Sequence, residues 1–186
     1  ITLTADGVNK VYNGNRVATV NNVTSRGIIS SDQVTVNYTD ASFDNKNVGT
    51  GKTVTVEGIT LTGSDAANYT VNQPIITTAN ITPLAIDVAA DGENKVYDGN
   101  TTAQVTLSGA GVIAGDEVSF TRTAANFIDK NVGTNKPIDV TGISTSGNDA
   151  GNYTVNTTAT TEANITPLTI TLTADGVNKV YNGNRV

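Results

Sequence analysis

Lys10-Val11-Tyr12-Asn13-Gly14-Asn15 returns as Lys95-Val96-Tyr97-Asp98-Gly99-Asn100, and again as Lys179-Val180-Tyr181-Asn182-Gly183-Asn184. Three copies of one six-residue string make this a repeat protein, and repeats are sought before any other pattern because they set the architecture. Other strings follow the same spacing. Lys46-Asn47-Val48-Gly49-Thr50 recurs from Lys130, Asn68-Tyr69-Thr70-Val71-Asn72 from Asn152, and Asn80-Ile81-Thr82-Pro83 from Asn164. The offset is 84 residues for these strings and 85 between Tyr12 and Tyr97. The single-residue slip falls in an Asn/Ser/Gly-rich stretch, where a loop absorbs it.

A second period overlies the first. Residues 170–186 repeat residues 1–17 without change, whereas 86–102 match them at only 10 of 17 positions. The order is therefore one module, a diverged copy, and the start of the first again, as in a recently duplicated two-module unit taken from a longer array. The expected boundaries are a first module at 1–83, a second at 84–167, and an incomplete third at 168–186. A period of 84 residues exceeds the roughly 20–50 of solenoid coils and propeller blades, and suits a small β domain.

Composition points to strands. The chain has 186 residues, 32 Thr, 23 Asn and 18 Gly, with only three Leu in the first hundred residues. Thr and Val favour strands; Asn, Asp and Gly favour turns. Alternation is clear at Ile1, Leu3 and Ala5, at Val34, Val36 and Tyr38, and at Val54 and Val56 followed by Ile59 and Leu61. The second module repeats the scheme at Val118 and Phe120, at Ile138 and Val140, and at Tyr153 and Val155. A second strand is expected over Val8–Tyr12, turning at Asn13-Gly14 so that Arg16–Val20 pairs back, with a loop of Asn, Ser and Gly after it. Phe43 and Phe127 are expected core plugs. The fold class is all-β: tandem domains of seven or eight short strands, sandwich-like or barrel-like, without substantial helix. Asp65-Ala66-Ala67-Asn68-Tyr69-Thr70-Val71, echoed by Asp149 to Val155, has the spacing of the tyrosine corner of immunoglobulin-like sandwiches. Asp65, Asp149, Tyr69 and Tyr153 are thus expected structural residues, with Tyr12, Tyr97 and Tyr181.

Charge and composition exclude several functions. Eleven Lys and Arg stand against 17 Asp and Glu, a net charge of −6, and there is no His, Cys, Met or Trp. A Ser-His-Asp triad, a Cys nucleophile, a zinc finger and a disulfide are all impossible. An acidic chain without basic clusters is a poor nucleic-acid binder. No run approaches the length of a membrane helix. A start at Ile1, without an initiator Met or signal peptide, suggests an internal segment of a longer protein.

Taken together, Lys-Val-Tyr-[Asn/Asp]-Gly-Asn, Lys-Asn-Val-Gly-Thr, Gly-x-Asp-Ala-[Ala/Gly]-Asn-Tyr-Thr-Val and Ala-Asn-Ile-Thr-Pro, in fixed order and twice over, resemble the YDG/MBG-type repeats of large bacterial surface adhesins of the filamentous-haemagglutinin kind. The resemblance covers the whole chain. It implies a secreted or surface-anchored protein whose modules form a stalk, and an extracellular location at the bacterial cell surface. It also implies a β-grasp-like topology as the alternative to the immunoglobulin-like sandwich favoured by the strand pattern. The first module carries Asn13 where the family has Asp, which speaks against an essential carboxylate there.

Asp116-Glu117 aligns with Asp32-Gln33, so a catalytic carboxylate pair is not kept between modules, and turn or capping roles are preferred. No catalytic or cofactor-binding residue, and no enzyme activity, is expected. Calcium at module junctions would use Asp6, Asp91 and Asp175, although no cation-binding loop motif is present. The pairs Thr2/Thr4, Thr53/Thr55, Thr60/Thr62 and Thr171/Thr173 read as solvent-facing strand threonines. Asn-x-Thr sequons, including Asn68-Tyr69-Thr70 and Asn152-Tyr153-Thr154, matter only in a glycosylating host. A Lys–Asn isopeptide cross-link needs a buried Lys, Asn and acid together; Lys10 beside Tyr12 and Lys46 beside Asn47 are candidates only because they recur, and surface lysines suffice to explain them. The expected partners are neighbouring modules of the same chain, joined stiffly through Ile81-Thr82-Pro83-Leu84. Self-association by strand exchange, with residues 170–186 replacing 1–17 of another copy, is a further expectation, as is glycan binding by the modules themselves.

Overall fold

The computed structural model describes residues 1–185; Val186, the last residue of the expected third module, lies outside the described residues. The first module contains β1 (Thr2–Gly7), β2 (Lys10–Val11), β3 (Val20–Arg26), β4 (Thr35–Asn37), β5 (Asp40–Phe43), β6 (Gly49–Glu57), β7 (Thr60–Thr62) and β8 (Ile75–Thr82). The second contains β9 (Leu84–Ile86), β10 (Val88–Gly92), β11 (Lys95–Val96), β12 (Val105–Gly109), β13 (Ser119–Thr121), β14 (Ala124–Phe127), β15 (Gly133–Thr141), β16 (Ser144–Ser146), β17 (Tyr153–Val155) and β18 (Thr158–Thr166). Helical structure among the described residues is confined to two three-residue turns, Ala66–Asn68 and Ala150–Asn152. The protein is a tandem of small all-β modules.

Each module is built around one four-stranded sheet, ordered β2-β8-β6-β5 in the first and β11-β18-β15-β14 in the second. Two antiparallel ribbons, β1-β3 with β4-β7 and β10-β12 with β13-β16, complete the layers. The central strands alternate as the sequence pattern requires. Val54 and Val56 on β6 and Ile75, Ala79 and Ile81 on β8 face inward with Leu3, Ala41, Phe43 and Ile59. The second module uses the aligned positions Ile138, Val140, Ala163, Ile165, Val88, Ala125, Phe127 and Ile143. Each buried Val, Ile or Phe contributes roughly 1.5–3 kcal/mol of transfer free energy.

Two local expectations are corrected. Asn13-Gly14 does not close a hairpin. β2 runs parallel to β8, with Lys10 opposite Ile81, while the chain after the turn pairs with β5 through a bridge between Val17 and Ser42. The cause is Lys10. Its ammonium donates to Asn13 Oδ1 (2.9 Å), the Asn15 carbonyl (2.8 Å), Asn15 Oδ1 (3.0 Å) and the Val17 carbonyl (2.9 Å), and lies 5.5 Å from the centre of the Phe43 ring. A four-acceptor cage of this kind folds the loop over its own base and turns the chain away from β2. Lys95 repeats the cage with Asp98, Asn100 and Thr102 above Phe127. Lys10 is therefore a loop-organising residue and not a solvent-directed one. The second correction concerns the stretch after Val20, expected as loop, which with Val20 forms β3 (Val20–Arg26) against β1. β1 itself continues through Asp6-Gly7 by way of a bulge, and Gly7 is required there because a Cβ would stand 2.5 Å from the Thr78 carbonyl oxygen.

Candidate functional site: the junction between modules

One residue, Pro83, separates β8 of the first module from β9. β9 pairs in parallel with β17, placing Leu84 opposite Tyr153, so the connecting segment is itself stitched into the second module. Proline fixes its own φ and biases the preceding residue to extended geometry, which keeps this crossing short and straight.

Beside the crossing, five elements bring polar side chains together. The Tyr12 and Tyr153 hydroxyls both donate to Asp116 Oδ2 at 2.6 Å. Lys46 Nζ donates to Asp116 Oδ1 at 2.7 Å and lies 3.2 Å from Asp149 Oδ1. The two tyrosine rings meet edge to face, with centroids 5.5 Å apart. The Val48 amide donates to Asn152 Oδ1 (2.9 Å), and Asn152 Nδ2 to Asn47 Oδ1 (3.3 Å). Tyr12, Lys46, Asn47 and Val48 belong to the first module; Asp116, Asp149, Asn152 and Tyr153 belong to the second. Tyr12 is 1% exposed and the Asp116 side chain 3%.

The electrostatics follow from this crowding. Burial works against ionisation of Asp116, but hydrogen bonds from Lys46, Tyr12 and Tyr153 outweigh it and hold its pKa below the ordinary carboxylate value. Tyr153 is pushed up to about 12, by burial first and by its bond to Asp116 second. Tyr12 moves in the same direction for the same two reasons. Lys46 is raised, chiefly by Asp116 and then by Tyr12 and Asp149. A buried carboxylate holding three donors is fully satisfied, the condition under which a buried charge is tolerated.

The side of the second module that receives these contacts is organised internally. The Tyr153 hydroxyl accepts from the Ile113 amide at 3.0 Å, and Asp149 Oδ2 accepts from the Glu117 amide at 3.0 Å. The first module has the same construction at its opposite end. Tyr69 donates to Asp32 Oδ2 (2.6 Å) and accepts from the Ile29 amide (3.0 Å), and Asp65 Oδ2 accepts from the Gln33 amide (2.9 Å). The tyrosine-corner expectation is corrected here: these hydroxyls bond a loop 37 to 40 residues earlier and not the neighbouring backbone. Asp65 and Asp149 precede the three-residue helical turns, but neither side chain caps its turn; each carboxylate bonds the distant amide of Gln33 or Glu117 instead.

Phe43, Phe127, Tyr12 and Tyr153 are buried; Tyr69 and Tyr97 are half-buried; Tyr181 is 93% exposed. Asp6, Asp91 and Asp175, the calcium candidates, are exposed and not among the carboxylates at the junction; Asp6 accepts from Asn22 Nδ2 instead. Among the described residues, no three Asp or Glu converge on a point that would hold a metal ion. Lys46 pairs with carboxylates of the next module. Sequence reading treated Asp116 only as half of a carboxylate pair and missed the lock it forms with Tyr12 and Lys46. The usable signal was the recurrence of Lys, Asp, Asn and Tyr at fixed spacing outside the alternating core positions.

The family model of the YDG domain matches this chain twice, over residues 1–81 and 77–162. The chain belongs to the YDG domain family. The two matches overlap over residues 77–81, within β8 and just before the crossing at Pro83. No curated protein and no solved structure matches the chain. Its two YDG modules therefore neighbour each other in one chain, with Tyr12 of the recurring six-residue string placed at their contact.

Proposed function

We propose that these YDG modules are spacers in the stalk of a secreted or surface-anchored bacterial adhesin, holding a binding tip away from the cell and supporting adhesion or biofilm formation. The role is mechanical and not catalytic. The observation that carries it is the junction: a one-residue crossing backed by the Asp116 cluster. Modules joined by a flexible linker reorient independently, whereas a short crossing with a second, lateral set of bonds fixes each module on the next. Repetition of such a unit converts chain length into reach. The carboxylates that an enzyme would use are engaged by Lys46 and the tyrosines, which fits a structural role for them.

X-ray scattering from the chain in dilute solution tests this reading. The expected distance distribution is that of two modules at one fixed separation. A distribution typical of freely jointed beads overturns it.

A further inference from the structure

Each module begins and ends on segments that lie side by side and run the same way. In the second module β9 is parallel to β17, with Leu84 opposite Tyr153 and Ile86 opposite Val155, and β11 is parallel to β18, with Lys95 opposite Ile165. Between these pairs side chains continue the contact. Asn156 Oδ1 accepts from the Val88 amide at 2.7 Å, its Nδ2 donates to the Val88 carbonyl at 3.0 Å, and Asn94 Oδ1 accepts from the Asn164 amide at 2.7 Å. The Tyr97 amide closes the row on the Thr166 carbonyl at 2.8 Å. Each step toward the C-terminus on the entering segment, from Leu84 to Tyr97, is matched by a step in the same direction on the leaving one, from Tyr153 to Thr166.

The first module repeats the row. Asn72 Oδ1 accepts from the Leu3 amide and Asn9 Oδ1 from the Asn80 amide, both at 2.7 Å. Lys10 stands opposite Ile81, and the Tyr12 amide donates to the Thr82 carbonyl at 2.8 Å. Midway along, glycine lets the two backbones close on each other: a Cβ on Gly92 would stand 2.9 Å from the Glu162 carbonyl oxygen, just as one on Gly7 would crowd Thr78. Asn9, Asn72, Asn94 and Asn156 serve neither the core nor the junction between modules. Each supplies a hydrogen bond where the two main chains do not pair directly, and each holds the entering segment to the leaving one.

We infer that this row is a mechanical clamp: tension along the chain shears the entering and leaving segments of each module past each other, so that the row yields as a unit. This inference rests on the spacer reading for the tension it describes. In a parallel pair the point of entry and the point of exit lie at opposite ends, so a pull on both runs along the strands and across every hydrogen bond at once. A slide of one residue, about 3.3 Å, breaks them together, because a hydrogen bond is lost within about 1 Å of stretch. In an antiparallel hairpin the two ends lie together, and the same pull opens the bonds singly. Force passes from Thr82 through Pro83 to Leu84, directly from one clamp into the next. Residues 13–71 and 98–152 lie between the clamped segments and carry no load until their clamp fails.

Single-molecule pulling on the full chain is the test. The protein has no Cys, so cysteines introduced in pairs at exposed positions are unique handles. Thr2→Cys with Thr169→Cys loads both clamps in shear. Val96→Cys with Thr169→Cys pulls on one end of the β11-β18 pair and peels it. At equal pulling speed the shear geometry is expected to need about threefold or more the force of the peeling one. In shear, Asn94→Ala is expected to raise the forced-unfolding rate of one module about tenfold, with the other module as reference in the same trace. Thr121→Ala removes the bond to Ser144 Oγ on a ribbon outside the clamp and is expected to leave both rates unchanged. Two unfolding steps of full length in each trace show that both modules of a variant are folded. Equal forces in the two geometries overturn the clamp, and so do equal effects of Asn94→Ala and Thr121→Ala. Equal forces together with a fixed module separation in scattering leave the spacer reading standing. Modules that resist shear but scatter as freely jointed beads overturn the spacer reading and leave the clamp.

Discussion

Tyr12 and Tyr97 sit in the same six-residue string, on the same cage of lysine hydrogen bonds, at the same end of their modules. Tyr12 is buried under the next module; Tyr97 is half-exposed beside Pro167 and Leu168. Tyr181, in a third copy of the string, is almost wholly exposed, yet Lys179 still bonds Asn182 and the Asn184 carbonyl. The local loop forms wherever the string occurs, because its bonds close within seven residues. The environment of its tyrosine is decided by what lies across the gap. A YDG module therefore carries a finished coupling face whether or not a neighbour occupies it.

The comparison is broken most severely at Asp116. Asp116→Ala leaves two tyrosine hydroxyls and Lys46 without their shared acceptor, and an unsatisfied buried group costs about 1–3 kcal/mol. Asp32→Ala removes the aligned carboxylate at the open end, where water replaces it, and is expected to cost less than about 1 kcal/mol. Urea denaturation of the two variants measures the gap, and equal losses would show that the junction adds nothing to Asp116. A smaller effect is expected from acid. The folded pKa of Asp116 lies below its ordinary value of 3.8, so its contribution is complete above that value and is lost as pH falls through the depressed one. At the alkaline end the neutral Tyr153 hydroxyl contributes below its ordinary 10.0 and loses that contribution as pH rises through about 12. Scattering across pH is expected to show the fixed module separation relaxing at both extremes and holding between them. The mildest contrast is Gly14→Ala against Gly99→Ala. Both positions have positive φ, at 78° and 82°, so both variants carry about 1 kcal/mol of left-handed backbone strain. Only Gly14→Ala also presses on Ile113, so its denaturation midpoint should fall below that of Gly99→Ala.

Much of the module was legible in the sequence. β1, β6, β8 and their counterparts follow the alternation of Leu3 and Ala5, Val54 and Val56, and Ala79 and Ile81, because strands that cover a core on one face show it with period two. β3 was not legible. Asn21 and Asn22 point to solvent from a half-covered ribbon, and their side chains read as loop until β1 is known to lie beside them. The Asn13-Gly14 hairpin failed for the converse reason. The turn chemistry is local and correct, but β8 offers Lys10 and Val11 a parallel partner, with Lys10 opposite Ile81. At the junction, Tyr12, Tyr153, Asp149 and Lys46 all stood out by recurrence. Their meeting on Asp116 was hidden, since the partners lie 70 and 104 residues apart.

The sequence by itself determined the repetition of the modules, their all-β character and the positions of the core. Those properties depend on periodicity and on contacts within a few residues. The tertiary structure alone decided which face of a module meets which. A carboxylate that caps nothing in its own turn gains its role only when folding brings two tyrosines and a lysine from distant parts of the chain to its two oxygens, and at Asp116 burial then makes those bonds indispensable.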